Sequence, residues 1–287
     1  MANQSTQRQA VLDQLKRILP ASPAWEAWLS QTGELPPDFD QLPSHALPPD
    51  LLLDAKGAQI GAPEAWEAHR TWLKQLLQQW ITGHCPPAPT SLQAQVVSEQ
   101  PGAGGIHREV VLHFGPGNRA SLRLHLFIPP GPGPFPIFLT QGSHDAWALI
   151  ALRRGYMACV YAGADNFDDT DTFAAAYPAY DWSRLMRRAW AGSRCIDYLA
   201  TLPQANMQQI AITGHSRNGK QSLMAAAFDE RISLVISSSS GAGGVLSARY
   251  FSEQHFGEGI ELITRVFPEW FHPRMRFFCG REDKLPV

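Results

Sequence analysis

The stretch of sequence that decides the fold is Ile210-Ala211-Ile212-Thr213-Gly214-His215-Ser216-Arg217-Asn218-Gly219-Lys220. It combines a short apolar run, a turn that carries a serine, and the start of a segment whose apolar residues recur at helical spacing. Such an apolar run is typical of a strand that is buried on both faces of a parallel sheet. The stretch therefore predicts a strand, a sharp turn at Ser216 and a helix.

Two glycines flank the serine of this turn, Gly214 two residues before it and Gly219 three residues after it. A Gly-x-Ser-x-x-Gly turn between strand and helix resembles the nucleophile elbow of the α/β-hydrolases, with the second glycine displaced by one position. A tight turn needs neighbours without a Cβ. It would also place the hydroxyl at a helix N-terminus, where N–H groups and the helix dipole favour a developing oxyanion. The alternative is an ordinary turn in which Ser216 caps the helix.

Composition and charge exclude several classes of protein. The 287 residues carry a formal net charge of −2, and Lys plus Arg do not outnumber Asp plus Glu. This balance, without a basic run, argues against nucleic acid as a partner. No run of about 18 apolar residues suggests a membrane span, and no signal peptide is visible. We expect a protein that is cytoplasmic as written, or secreted or periplasmic if a signal peptide was removed. The oligomeric state stays open.

The residues that commonly hold metals show no metal-binding spacing. The cysteines form no CxxC pair, which argues against zinc, and we expect no metal and no cofactor. Cys159 and Cys195 are predicted to act as small buried hydrophobic residues. The acidic loop at 165–171 could bind calcium, but its spacing fits no EF-hand, and a solvated loop is the preferred interpretation. The nine tryptophans could line a carbohydrate platform, although large aromatic residues more often fill cores and interfaces.

The order of the predicted elements indicates an α/β-hydrolase three-layer sandwich with a mostly parallel central sheet and an N-terminal helical extension. Residues 1–100 are predicted to form helices and a Pro-rich strap that packs on the main domain, and residues 101–287 to form the hydrolase domain. Two antiparallel strands, over 107–114 and 120–128, begin that domain, and strands and helices then alternate. The strand before Ser216 is expected to be the fifth and central strand.

Several stretches together carry a family resemblance, which covers most of the chain from about residue 35. They are Leu35-Pro36-Pro37-Asp38-Phe39, Tyr180-Asp181-Trp182, Ser193-Arg194-Cys195-Ile196-Asp197-Tyr198-Leu199, Thr213 to Lys220, Asp229-Glu230-Arg231, Ser240-Gly241-Ala242-Gly243-Gly244, Phe267-Pro268-Glu269-Trp270-Phe271 and Lys284-Leu285-Pro286-Val287. They resemble the bacterial branch of the glucuronoyl esterases, carbohydrate esterase family fifteen. The Ser-Arg-x-Gly-Lys elbow with the later Ser-Gly-x-Gly-Gly run is the specific part of this pattern.

The resemblance implies a serine esterase that hydrolyses esters of (4-O-methyl-)glucuronic acid, such as those between lignin and xylan, and therefore a small-molecule or glycan ester as the substrate. It implies that Ser216 is the nucleophile and that the N–H and guanidinium of Arg217 face the oxyanion. It also implies that Lys220 and Trp270 bind the sugar. The alternatives are a structural ion pair for Arg217, an exposed helix lysine for Lys220 and a core position for Trp270.

The loop at 141–144 follows the third predicted strand, where α/β-hydrolases usually supply a second oxyanion donor. Gly142 would allow close approach of the backbone, and His144 is either a site residue or a cap of the following helix. His215 directly precedes Ser216, and because adjacent side chains diverge at such a turn, it is a poor general base. At the position of His215, fungal members of the family carry a cysteine that is usually disulfide-bonded. This chain therefore lacks that disulfide bond.

The sequence departs from the family at the base and the acid that a serine hydrolase needs. Ser239 occupies the position at which fungal members carry a glutamate. After Ser216 the remaining histidines are His255, in a predicted helical insertion, and His272, and neither matches the family's base. The resemblance therefore predicts that the base and acid lie beyond Val287 and that the sheet lacks its last two strands.

Two other functions remain open at this stage. One is a non-catalytic homologue that keeps the sugar pocket, with Lys220 and Trp270, and binds uronic acids. The other is a different α/β-hydrolase, such as an acetyl esterase or a peptidase, in which Arg217 and Lys220 serve the structure. Preference for an acetate ester over a glucuronate ester would favour the second of these.

Overall fold

A computed structural model describes residues 2–45, 50–54, 56–163, 170–250 and 258–286. The chain forms two compact units, one of residues 1–83 with 246–287 and one of residues 84–245. The domain boundary predicted near residue 100 stays a prediction. The helical insertion around His255 and most of the acidic loop at 165–171 lie outside the described residues.

Eight α-helices and seven β-strands make up the regular structure of the described residues. The helices are α1 (Ala2–Ile18), α2 (Pro23–Thr32), α3 (Pro63–Leu77), α4 (Asp145–Arg153), α5 (Asp171–Ala176), α6 (Arg184–Leu199), α7 (Arg217–Phe228) and α8 (Ile260–Val266). The strands are β1 (Leu92–Gly102), β2 (Gly105–Phe114), β3 (Ala120–Ile128), β4 (Phe135–Gln141), β5 (Met157–Tyr161), β6 (Ala205–His215) and β7 (Leu234–Ser238).

The unit of residues 84–245 is built on one sheet with the strand order β1-β2-β3-β5-β4-β6-β7. The first three strands pair antiparallel, β3 also pairs antiparallel with β5, and β5, β4, β6 and β7 run parallel. Helices cover both faces of this sheet. Val160 of β5 packs in one apolar cluster with Ala148 of α4. Its neighbour Cys159 points to the opposite face, where it contacts Cys195 of α6. The predicted three-layer α/β-hydrolase fold is confirmed, and both cysteines are fully buried.

The predicted place of the elbow strand in the sheet is wrong. That strand is β6, the sixth along the chain. In the sheet it lies between β4 and the edge strand β7. The count differs because β1 was not predicted. Its residues Leu92–Gly102 are almost all exposed, so the strand lacks the apolar alternation by which a half-buried strand is recognised.

The unit of residues 1–83 and 246–287 has a core of aromatic side chains. The ring of Phe277 contacts those of Trp25 and Trp28, and the ring of Phe278 contacts those of Phe39 and Trp80, with centroids 5.3 to 6.0 Å apart. Trp25 is buried, and Trp28 and Trp80 are half-buried, so these three tryptophans pack against other rings and do not form an exposed platform. Throughout the described chain, no helix has both the length and the apolar character needed to cross a bilayer.

Candidate active site

Ser216 has a strained backbone conformation between β6 and α7. Its φ is 56° and its ψ is −123°, a combination that residues other than glycine rarely adopt. Strain of this kind costs about 1–3 kcal/mol and is concentrated at functional sites. The N–H of Ser216 donates to the carbonyl of Ser238 at 2.9 Å, and the N–H of Lys220 donates to the carbonyl of Ser216 at 3.0 Å. The predicted sharp turn is therefore confirmed and is held from both sides.

Both glycines of the motif are needed for close backbone contacts. A Cβ at Gly214 would lie 2.3 Å from the carbonyl oxygen of Asn218, and a Cβ at Gly219 would lie 2.8 Å from that of Ser238. Both distances are shorter than the closest carbon–oxygen contacts that side chains make. The glycines let the start of α7 fold back onto β6 and lie against the end of β7, and this packing forms the turn.

The hydroxyl of Ser216 lies at the N-terminus of α7 and does not cap it. The residue is half-buried, and its side chain makes no capping hydrogen bond, so the interpretation of Ser216 as a simple helix cap is wrong. The first N–H groups of a helix have no partner within the helix, and the helix dipole adds positive potential there. The backbone beside Ser216 is thus suited to stabilise an oxyanion.

Two hydrogen bonds, which we call the loop clamp, tie the loop after β4 to α7. The side-chain amide of Gln141 donates to Oγ of Ser222 at 2.9 Å, and that of Asn218 donates to Oγ of Ser143 at 2.8 Å. The hydroxyl of Ser222 donates in turn to the carbonyl of Asn218 at 2.9 Å. Gln141 is fully buried, and Asn218 is nearly so. The clamp fixes the position of Gly142 relative to the elbow.

None of the clamp residues was singled out from the sequence. A signal was nevertheless present, because Thr140 and Gln141 end an otherwise apolar strand, and Asn218, Gln221 and Ser222 interrupt the predicted apolar spacing of the elbow helix. Polar side chains at buried positions of this kind need hydrogen-bond partners. The sequence does not say where those partners are, because Ser143 and Asn218 are 75 residues apart.

Two histidines lie near the elbow. His144 stacks on Trp147, with ring centroids 4.2 Å apart, and it occupies the N-cap position of α4 without a capping side-chain bond, so the cap interpretation is wrong. Burial lowers its pKa, and the neighbouring charge of His215 lowers it further. The exposed ring of His215 lies with Nδ1 3.2 Å from Oγ of Ser238. This contact fits the prediction that His215 is not the base for Ser216.

The basic residues of the motif lie in the first turn of α7. Arg217 is half-buried, and Lys220 is 3% exposed. The interpretation of Lys220 as an exposed helix lysine is therefore wrong. Lys220 is thus buried one helical turn from Ser216, and a buried ammonium group requires polar partners.

The other predicted site residues belong to the unit of residues 1–83 and 246–287. Trp270 is buried there, at 3% exposure. His272 is buried as well, and its Nδ1 accepts a hydrogen bond from the N–H of Arg274 at 3.2 Å, while its ring meets the edge of Trp28. His272 therefore serves as the cap of the 3₁₀ segment Pro273–Phe278. His255 lies outside the described residues. Within the described ranges, no group of three or more His, Cys, Asp or Glu residues is placed to hold a metal ion.

Comparisons with known proteins identify relatives of this chain. A family model described as "Glucuronyl esterase, fungi" matches residues 114–287. The chain is 27% identical to the carbohydrate esterase MZ0003 from an unknown prokaryotic organism, over 87% of this chain and 70% of that protein. It is 28% identical to 4-O-methyl-glucuronoyl methylesterase 1 of Wolfiporia cocos, over 83% of this chain and 60% of that protein. The chain therefore spans less than two thirds of the length of this fungal relative.

A solved structure supports the fold. A promiscuous CE15 esterase from a marine bacterial metagenome superposes with a TM-score of 0.72 at 24% identity, covering 87% of this chain and 76% of that one. At this level of identity the similarity shows the architecture only. The sheet that carries the turn at Ser216 therefore has the same α/β architecture as the sheet of that esterase.

Proposed function

Because this chain belongs to the glucuronoyl esterase family, we propose that it is a serine carboxylic-ester hydrolase that cleaves esters of (4-O-methyl-)D-glucuronic acid. The single observation that carries the proposal is the strained backbone of Ser216 at the turn between β6 and α7. That conformation places a hydroxyl at a helix N-terminus, as in the nucleophile elbow of the α/β-hydrolases. The substrate class is taken from the relative named 4-O-methyl-glucuronoyl methylesterase.

The proposed reaction has two steps. Oγ of Ser216 attacks the ester carbonyl carbon, and the resulting oxyanion faces the N–H and guanidinium of Arg217. The bond to the alcohol then breaks, which leaves an acyl-enzyme that water hydrolyses to free glucuronate. The hydroxyl proton passes to a general base and from it to the departing alcohol; the geometry around Ser216 assigns this role to no residue among the described ones. Each oxyanion donor in such a site is worth about 3 kcal/mol of the barrier.

The proposed sugar contacts are Lys220 and Trp270. Lys220 is supported by its burial one helical turn from Ser216, from which an ammonium group can donate to sugar hydroxyls. Trp270 is proposed from the resemblance alone. In the same proposal, the loop clamp places Gly142 so that its N–H can act as the second oxyanion donor.

The test compares hydrolysis of benzyl D-glucuronate and p-nitrophenyl acetate by the full chain, together with calorimetric binding of methyl D-glucuronate. We expect the glucuronate ester to be preferred over the acetate, and Ser216→Ala to abolish the hydrolysis that the unaltered protein shows. Ser98→Ala, at an exposed position of β1, is the matched control and should leave hydrolysis unchanged. Preference for acetate, or full activity of Ser216→Ala, would contradict the proposal. Binding without hydrolysis would favour the non-catalytic alternative.

A further inference from the structure

A small cavity lies within the unit of residues 1–83 and 246–287. Its volume is about 20 Å³, and its lining includes Ser22 and Trp25 from the start of α2 and Thr264, His272 and Arg276 from the C-terminal part of the chain. A cavity of this size holds one water molecule or one monatomic ion. It is too small for a polyatomic ion such as phosphate or sulfate.

The charge at this cavity is a buried guanidinium. Arg276 is 1% exposed, and its Nη2 donates to the carbonyl of Pro20. Its Nε and Nη1 are also buried, and neither has a hydrogen-bond partner among the described residues. No Asp or Glu lines the cavity. Burial lowers the pKa of Arg276, and the charges of Glu261 and Glu26 raise it by less. Neither carboxylate lines the cavity, and a buried charge without a partner in contact is costly.

A second unpaired donor lies beside the first. The indole Nε1 of Trp25 is buried and, within the part of the chain that the structure describes, has no acceptor. The guanidinium carbon of Arg276 lies 5.2 Å from the centroid of the Trp25 ring. Tryptophan Nε1 and the arginine nitrogens can only donate. Three donor nitrogens of two neighbouring side chains therefore lack an acceptor, and both side chains line the cavity.

The cavity also borders the N-terminus of a helix. Ser22 is the N-cap of α2, and its side chain makes no capping bond. The first N–H groups of the helix lack partners within it, and the helix dipole makes this end positive. The acidic residue of the first turn, Glu26, is exposed and does not line the cavity. Two independent sources of positive potential, the helix end and Arg276, thus meet at the same place.

We propose that this cavity is a binding site for a monatomic anion of the chloride class, held by the guanidinium of Arg276, the indole N–H of Trp25 and the N-terminus of α2. A water molecule is the competing occupant. Water carries no charge and accepts about two hydrogen bonds, whereas a halide accepts from several donors at once and neutralises the buried guanidinium. The number and charge of the donors therefore favour the anion. The site joins the start of α2 to the segment that contains Arg276, so binding should stabilise this unit.

The first test measures the melting temperature of the full chain in sodium chloride and in sodium gluconate at matched ionic strength. A ligand that binds only the folded state raises the melting temperature with its concentration. We expect a rise of about 3 °C between about 1 mM and about 100 mM chloride, and no comparable rise in gluconate. Trp25→Phe keeps an aromatic side chain but removes the indole N–H, and it should reduce the chloride effect. Arg276→Met should remove it, while Arg281→Met, whose guanidinium lies over Phe39 outside this cavity, should keep it.

The second test does not depend on the folding of any variant. Crystals of the unaltered chain grown in sodium bromide should give an anomalous peak within hydrogen-bond distance of Arg276 and Trp25. Equal melting temperatures in the two salts, or a site that holds only water in bromide, would overturn the proposal. Neither measurement uses esterase activity, so its outcome is separate from that of the proposed function.

Discussion

The side-chain amide of Asn218 donates to Oγ of Ser143 at 2.8 Å, so the second residue of the elbow helix holds the loop that follows β4. The companion bond from Gln141 reaches Ser222, one helical turn further along α7. Gln141, the last residue of β4, and Ser143 flank Gly142, and the two helix residues lie on one face of α7. A pair of bonds with this spacing fixes both the position and the orientation of the loop.

The hydrogen bond between Asn218 and Ser143 should give a measurable coupling energy between these two residues in a double-mutant cycle. We expect Asn218→Ala and Ser143→Ala each to lower the free energy of unfolding, and the double variant to lose about 1 kcal/mol less than the sum of the two. Urea unfolding of the four proteins measures this difference. Asn218→Ala combined with Ser98→Ala is the matched control, and its effects should be additive. Additive effects for Asn218 and Ser143 would contradict the bond.

The same bond should matter for catalysis under the proposed function. If the clamp positions a backbone donor near Gly142, Asn218→Ala should lower kcat by about tenfold with KM little changed, because a misplaced donor is felt mainly in the transition state. Steady-state kinetics with a glucuronate ester measure both constants. A change in KM alone would mean that Asn218 acts on substrate binding and not on the oxyanion.

The strain at Ser216 predicts an unusual order of stability between two variants. With φ at 56° and ψ at −123°, alanine keeps the strained backbone, whereas glycine adopts it freely. We expect Ser216→Gly to be more stable than Ser216→Ala by about 1 kcal/mol. At an ordinary helix position the order is the reverse. Chemical denaturation of the two variants decides between these outcomes, and a more stable alanine variant would contradict the strained turn.

The contact between Gly214 and Asn218 predicts the cost of a single added methyl group. Because a Cβ at Gly214 would lie 2.3 Å from the carbonyl oxygen of Asn218, Gly214→Ala should lower the free energy of unfolding by about 3 kcal/mol. Gly102 is the matched control, since a Cβ there meets no atom within 4 Å, and Gly102→Ala should change stability by less than about 1 kcal/mol. Similar losses for both variants would show that the elbow can relax around the extra carbon.

Local features of the fold were predictable from the sequence, and features that depend on distant residues were not. The turn at Ser216 follows from the spacing of Gly214 and Gly219, and the structure confirms it. The place of β6 in the sheet depends on pairing with β4 and β7, which no local pattern encodes. β1 escaped prediction because its side chains are exposed, so that backbone pairing with β2 holds it in the sheet.

The same distinction applies to the candidate site. Ser216, Arg217 and Lys220 are close in sequence and fall together on the first turn of α7, so the motif predicted their grouping. The loop clamp and the pairing of Trp25 with Arg276 join residues that are far apart along the chain, and hydrophobic periodicity says nothing about such polar contacts. The predicted roles of these side chains in catalysis and binding stay predictions.

A partly buried group of ion pairs just after α7 provides a pH-dependent contribution to stability. Arg231 pairs with Asp229 at 2.7 Å and with Asp197 at 2.7 Å, and Asp229 is 8% exposed. Burial acts to raise the pKa of Asp229, but hydrogen bonds from Arg231 and Ser193 lower it more, so that the pKa lies below its ordinary value. The same contacts raise the pKa of Arg231, which stays charged throughout.

Because the pKa of Asp229 is lower in the folded than in the unfolded chain, the pair stabilises the fold fully above about pH 4 and loses its effect as the pH falls through the folded value. Between about pH 6 and about pH 3 we expect the free energy of unfolding of the unaltered chain to drop by about 1 kcal/mol more than that of Asp229→Asn. Urea unfolding across this range measures the difference. Asp13→Asn, at an exposed position of α1, is the matched control and should keep the steeper dependence. Parallel curves for the unaltered chain and Asp229→Asn would mean that this pair contributes nothing to acid sensitivity.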